Sequence, residues 1–139
     1  MISIRLRNII FLEYPPNYDH IGKAFAKKYY AMFDNPATRG AANLGGMYEA
    51  QQAMLKFEGR EFAGLTKIME KIQSLTFQKI ARVITAVDCM PTYDGGILVN
   101  VVGQLQLDLD PPQSFTQAFV LKEQRGLYLC FNDIFRIVK

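Results

Sequence analysis

The sequence predicts an α+β fold with helices first and an antiparallel sheet last, on three observations. Apolar residues recur every three or four positions from Ile21 to Phe33 and again from Leu65 to Leu75. From Phe77 onward the period falls to two. Tight-turn signals, Asp94-Gly95-Gly96 and Arg125-Gly126, divide that second half and make neighbouring strands antiparallel.

Each element has a local cause. Pro15-Pro16-Asn17 breaks the chain and offers Asn17 as a helix N-cap, with Asp19 in the first turn where the helix dipole favours it. Ile21, Phe25, Tyr29, Met32 and Phe33 then form an apolar stripe, Lys23, Lys27 and Lys28 lie between them, and Asp34-Asn35-Pro36 ends the helix. A loop over 36–46, rich in Gly and small residues, leads to a short helical stretch near 44–53. Met54 to Phe62 reads as a hairpin turning at Gly59, and Gly64 opens a third helix with Leu65, Ile68, Ile72 and Leu75 on one face. Four strands are expected at 77–90, 96–108, 114–123 and 127–138.

The first of those strands is apolar on both sides, with Ala81, Val83, Val87 and Cys89 expected on one and Ile80, Ile84, Ala86 and Met90 on the other. Three helices cover one face of a sheet. The other face predicts a homodimer packed sheet to sheet, or else cover by the N-terminal extension.

Half of the 139 residues are apolar and 21% are charged, the balance of one compact domain. That domain is placed at 17–139, behind an extension of residues 1–16 that is basic and apolar and contains no acid before Glu13. The extension lacks a small-residue cleavage site and reads as an added strand or a loose segment, not a targeting peptide. A net charge of +3 is too small to support nucleic-acid binding. It is uneven: residues 1–82 hold twelve basic and seven acidic side chains, 83–139 four basic and six acidic, so the C-terminal part suits a partner rich in Lys or Arg. The longest strongly apolar block, Ile97 to Val102, is interrupted by Asn100, so no membrane insertion is expected. Cys89 and Cys130 have no zinc spacing and read as buried free thiols in a reducing compartment.

The chemistry concentrates in Leu107-Asp108-Leu109-Asp110-Pro111-Pro112. Alternation places Asp108 and Asp110 on one side at a strand end, where two like charges favour a cation. Glu58, between Phe57 and the turn glycine, is a second rim acid that would join them around an apolar floor. An acidic turn and a hairpin charge that merely face water are the competing readings. His20 sits in the first turn of the first helix as a surface residue, and no Ser-His-Asp, Cys-His or phosphate-loop pattern occurs, so no catalytic residue, metal or cofactor is expected. A buried Asp with a Tyr partner deep in a pocket would favour an enzyme. Tyr18, beside the helix start, is the aromatic placed to contact a peptide.

Several segments together resemble the nuclear transport factor 2 family: Tyr29-Tyr30 with Phe33-Asp34-Asn35, Phe57-Glu58-Gly59, Phe77-Gln78-Lys79-Ile80, Val101-Val102-Gly103-Gln104-Leu105, Asp108-x-Asp110-Pro111 and Asn132-Asp133-Ile134-Phe135-Arg136. They cover about residues 17–138 in the family's order, and the first fourteen residues have no counterpart. The resemblance implies a cone, a curved antiparallel sheet wrapped round about three helices, homodimeric through that sheet and without catalysis. It implies binding of the GDP-bound GTPase Ran, whose switch II aromatic enters an apolar cavity drawing on Phe57, Leu75, Phe77, Ile80, Ile134 and Phe135, with Glu58, Asp108 and Asp110 at the rim. It also implies weak contacts of Tyr18, where some members carry Trp, with Phe-x-Phe-Gly repeats of nucleoporins, and so a place in cytoplasm, nucleus and nuclear pore. Two rivals keep the fold: a heterodimerising messenger-RNA export adaptor, and an isomerase or dehydratase.

Overall fold

The computed structural model describes residues 3–6, 9–12 and 17–139. Its elements in chain order are β1 (Ser3–Leu6), β2 (Ile9–Leu12), α1 (Tyr18–Phe33), β3 (Met54–Phe57), β4 (Arg60–Ala63), α2 (Leu65–Gln73), β5 (Ile80–Pro91), β6 (Ile97–Leu107), β7 (Gln113–Gln124) and β8 (Leu127–Val138), with 3-10 turns at Pro36–Thr38 and Leu44–Met47. Strands β1 and β2 pair antiparallel as a separate hairpin. The rest of the expected extension, residues 1–2, 7–8 and 13–16, lies outside the described residues.

The main sheet has six strands in the order β4-β3-β8-β7-β6-β5. It is mixed and not wholly antiparallel as expected, because β3 runs parallel to β8. The expected helix near 44–53 is instead a four-residue 3-10 turn, so the described residues contain two α-helices. There Gly45 and Gly46 weaken helix propensity, Tyr48 bridges to Cys130, and Glu49 Oε1 accepts the Gln51 and Gln52 N–H groups, redirecting the chain into β3. Asn17 is the first cap residue of α1, but its side chain makes no capping bond; its carbonyl accepts from Ile21 N–H at 2.8 Å. Leu75 lies two residues beyond α2.

Helix α1 packs on β5 and β6 at close range. A Cβ on Gly22 would stand 2.5 Å from Cys89 Sγ and 3.1 Å from Val99 Cγ2, so only glycine allows this approach. At the other end of α1, Asp34 takes Arg82 of β5. The helix therefore runs alongside β5 in the opposite direction. Tyr29 of α1 and, from β7, Phe115 and Phe119 are fully buried between helix and sheet, with Tyr29 and Phe119 at 4.8 Å edge to face.

A bulge between Ile84 and Ala86 changes the face assignment expected for β5. Beyond it Val87 pairs with Val101, which is buried, so Val87 and Cys89 join Ile80 and Arg82 on the helix side while Ala86 and Val83 face outward. Gly103 pairs with Ile84 at the bulge, where any Cβ would strike Val83 carbonyl. The outer face still exposes Val83, Met90, Val102, Ile134 and Val138. Cys130 is buried and Cys89 half-buried, and both are free thiols.

Candidate functional site

An apolar cavity of about 200 Å³ opens between the helices and the inner face of the sheet. Phe57 and Leu55 reach it from β3, Ile72 and Leu75 from α2 and its exit, Phe77 from the segment before β5 and Ile80 from its first position, Leu105 and Leu107 from β6, and Phe135 and Ile137 from β8. Strand alternation explains this set, since residues two apart on β6 and on β8 share the inner face. Phe57 and Phe135 stack at 4.9 Å. Five of the six expected cavity residues, Phe57, Leu75, Phe77, Ile80 and Phe135, line the hollow. Ile134 does not. It pairs with Ala118 on the outer face and is 53% exposed, because its neighbour Phe135 takes the inward position.

Of the three expected acids only Glu58 lines the cavity; Asp108 and Asp110 lie in the turn between the lining residues Leu107 and Gln113. Glu58 lines it and, with Gly59, forms a two-residue turn with both φ angles positive, 52° and 86°. Its Oε1 accepts the Ile137 N–H at 2.6 Å, and its own N–H donates to Phe135 carbonyl, so the carboxylate is fastened to β8. Asp108 follows the lining residue Leu107 and also has positive φ, 50°. Its Oδ1 accepts N–H bonds from Gln78 and Lys79, tying β6 to the Phe77–Ile80 wall. Asp110 lies in the exposed turn between the lining residues Leu107 and Gln113, and Leu109 between the two acids is 97% exposed. Cations stand beside two of these segments: Lys71 Nζ is 5.1 Å from the ring of the lining residue Phe57, and the Arg136 guanidinium lies against Gly59.

Polar residues stand in and behind the cavity wall, with Arg82, Tyr29 and Gln117 lining it and Asp34, Arg39 and Asp133 behind them. Arg82 Nε and Nη2 hold Asp34 at 2.7–3.2 Å, while the guanidinium stands 4.3 Å from the Tyr30 ring and 5.0 Å from Phe115. Arg39, buried in the glycine-rich loop, donates to the carbonyls of Phe33 and Phe77 and lies over both rings, so it pins the cavity's Phe77 to the end of α1. Behind Tyr29 and Gln117, both lining residues, sits Asp133, 1% exposed. Tyr48 and Tyr29 donate to its Oδ2 at 2.6 and 3.3 Å and Gln117 Nε2 to its Oδ1 at 2.7 Å, while Tyr30 donates to Gln117 Oε1. Burial pushes the Asp133 carboxyl up to about 6, against the pull of those donors. Burial and the nearby carboxylate raise both tyrosines well above their ordinary range. For Asp133 and Arg82 a signal existed: each is a charge at an inward position of an alternating strand. Nothing local marked Arg39.

A buried Asp with Tyr partners is the feature that favours an enzyme. Here Asp133 is not among the residues lining the cavity, and the Tyr29 hydroxyl engages Tyr48 and Asp133. The network braces the wall.

Tyr18 at the start of α1 is half-buried against the core, and His20 is exposed. No described helix is long and apolar enough to cross a membrane.

A six-stranded curved sheet folded over two helices, with an apolar cavity between them, defines a cone-shaped α+β domain. Residues 21–137 match the model of the nuclear transport factor 2 domain, and the chain belongs to that family. It is 38% identical over 128 residues to the probable nuclear transport factor 2 of Caenorhabditis elegans, covering 91% of this chain and 96% of that one. It is similar to the solved structure of nuclear transport factor 2 from Cryptosporidium parvum, with a TM-score of 0.81, 37% identity and coverage of 92% and 100%. The fold alone is shared with a putative scytalone dehydratase from Novosphingobium aromaticivorans, TM-score 0.72 at 8% identity and coverage of 87% and 84%.

Proposed function

We propose that this protein is a nuclear transport factor that takes GDP-bound Ran in its cavity and carries it from cytoplasm to nucleus through the pore. The observation that carries this reading is the open apolar hollow with Glu58 in its lining and the Asp108–Asp110 turn joining its lining residues Leu107 and Gln113. An aromatic side chain of the partner fills the hollow, and partner cations meet the rim acids. The partner's switch region fits only in its GDP form, so nucleotide exchange in the nucleus releases it. Family membership and the names of the relatives support the transport role.

Two further contacts belong to the reading. Tyr18 meets Phe-x-Phe-Gly repeats weakly, as rapid passage requires. The outer face, with Val83, Val102 and Ile134 exposed, packs against a second copy. Light scattering separates a homodimer from an adaptor subunit that needs a different partner.

The test is a pull-down with Ran loaded with GDP or with GTP. Retention of the GDP form alone is expected; equal retention of both, or of neither, rejects the assignment.

A further inference from the structure

The two edge strands of the main sheet are unlike. Strand β4 has four residues and exposes Arg60 and Glu61, a short charged edge that resists further pairing. Strand β5 has twelve residues and pairs, among the described residues, with β6 alone. Its only charges are Arg82 and Asp88, and Arg82 is turned inward with its side chain 6% exposed. A long edge of that composition presents a row of unpaired N–H and C=O groups.

Beside this edge runs a groove of about 450 Å³ between β5 and α1. Ala26, Ile84 and Val87 give it an apolar floor, and Ile84 is 39% exposed. Lys23 and Lys27 line it from α1. Lys27 has no carboxylate partner among the described residues, while Lys23 holds the exposed Asp19 at 3.0 Å. Arg82 and Asp34 also line the groove and pair with each other, which leaves Lys23 and Lys27 as its excess charge; the buried Nη1 of Arg82 has no hydrogen-bond partner, although Asp34 takes the other two nitrogens.

We propose that β5 and this groove form a docking site for an extended acidic peptide segment, which joins the sheet as a further strand. Main-chain bonds to the β5 edge hold such a segment, and every second side chain points toward α1. Because α1 lies alongside β5, the spacing matters. Lys23 and Lys27 stand about 6 Å apart along the helix, and alternate residues of a strand are about 6.7 Å apart. Acidic side chains two residues apart therefore meet the two ammonium groups in succession, and apolar ones between charged positions cover Ile84 and Val87. The bulge after Ile84 bends the edge, so pairing falls in two runs on either side of Thr85. The groove shares Arg82 with the main cavity, but Lys23, Lys27, Ile84 and Val87 do not line that cavity, and the proposal does not depend on Ran binding.

The test uses the full chain, a short peptide alternating glutamate and valine, and its lysine-valine counterpart, with amide hydrogen exchange as readout. Saturable binding of the acidic peptide, slower exchange of the edge-facing amides in 80–91, and no binding of the basic peptide are expected. Lys27→Glu with Lys23→Gln changes two exposed side chains and is expected to weaken the acidic peptide about tenfold. The proposal is overturned if neither peptide binds saturably, or if protection appears on β4. It is also overturned if the β5 edge amides of the free chain are already protected. Protection at every dilution means a segment of the same chain covers them, and protection only when concentrated means a second copy does.

Discussion

Tyr48 donates its hydroxyl proton to Asp133 Oδ2 across 2.6 Å, with both side chains buried. The carboxyl is held up to about 6 in the folded protein, against about 3.9 for an unfolded Asp. The folded state therefore binds its proton more tightly. The stability it contributes is present below pH about 4 and is lost as pH rises through about 6, a change of roughly 3 kcal/mol. Chemical denaturation between pH 5 and 7 is expected to show this rise on acidification. In Asp133→Asn the slope disappears, and stability at pH 7 falls by about 1–3 kcal/mol because one donor of Gln117 or a tyrosine is stranded. A variant with an unchanged slope would assign the titration to another group.

The Arg82–Asp34 pair predicts non-additivity. Removing Asp34 alone, as Asp34→Ala, leaves a guanidinium buried among Tyr30, Phe33 and Phe115 and is expected to cost about 3–5 kcal/mol. Replacing both, Arg82→Met with Asp34→Leu, is expected to cost much less. A double-mutant cycle by thermal unfolding measures the coupling.

Gly22→Ala is expected to destabilise the fold by about 1–3 kcal/mol, although alanine is the better helix former. The new methyl meets Cys89 Sγ and Val99 Cγ2. Adding Cys89→Ala removes the nearer obstacle and is expected to restore part of the loss in the same unfolding experiment.

The two rim aspartates separate binding from folding. Asp108 accepts two backbone N–H bonds, so on the proposed Ran assignment Asp108→Ala is expected to lower both Ran affinity and the unfolding midpoint, the latter by about 1 kcal/mol of stability. The Asp110 side chain makes no bond to the described residues, so Asp110→Ala is expected to weaken Ran without moving the midpoint. Calorimetric binding beside thermal unfolding checks both, and full affinity in both variants would remove these acids from the interface.

On the proposed sheet-to-sheet dimer, Val102→Asp is expected to give monomers by light scattering while leaving the fold intact, because the residue is 38% exposed on the outer face. A dimer of unchanged mass would place the interface elsewhere.

Chain order and local pattern determined a good deal by themselves. The 3.6 period placed α1 within a residue at its start, the two-residue period placed β5 to β8 within three residues at every end, and Glu58-Gly59 and Arg125-Gly126 marked turns whose positive φ angles the structure contains. Five of the lining residues were expected from the family resemblance of their segments, and periodicity alone did not single them out. What the pattern did not carry was anything set by a partner far along the chain. The bulge that turned Val87 and Cys89 inward depends on Gly103 beside it, the inward place of Phe135 over Ile134 depends on register with β7, and the parallel pairing of β3 depends on the turn that Glu49 ties. The charges buried behind the cavity, Arg39, Arg82 and Asp133, are tolerated only because Phe77 carbonyl, Asp34 and Tyr48 arrive from elsewhere to meet them. Backbone periodicity is local, whereas the cost of a buried charge is settled by its neighbours in space, and those exist only once the sheet has closed over the helices.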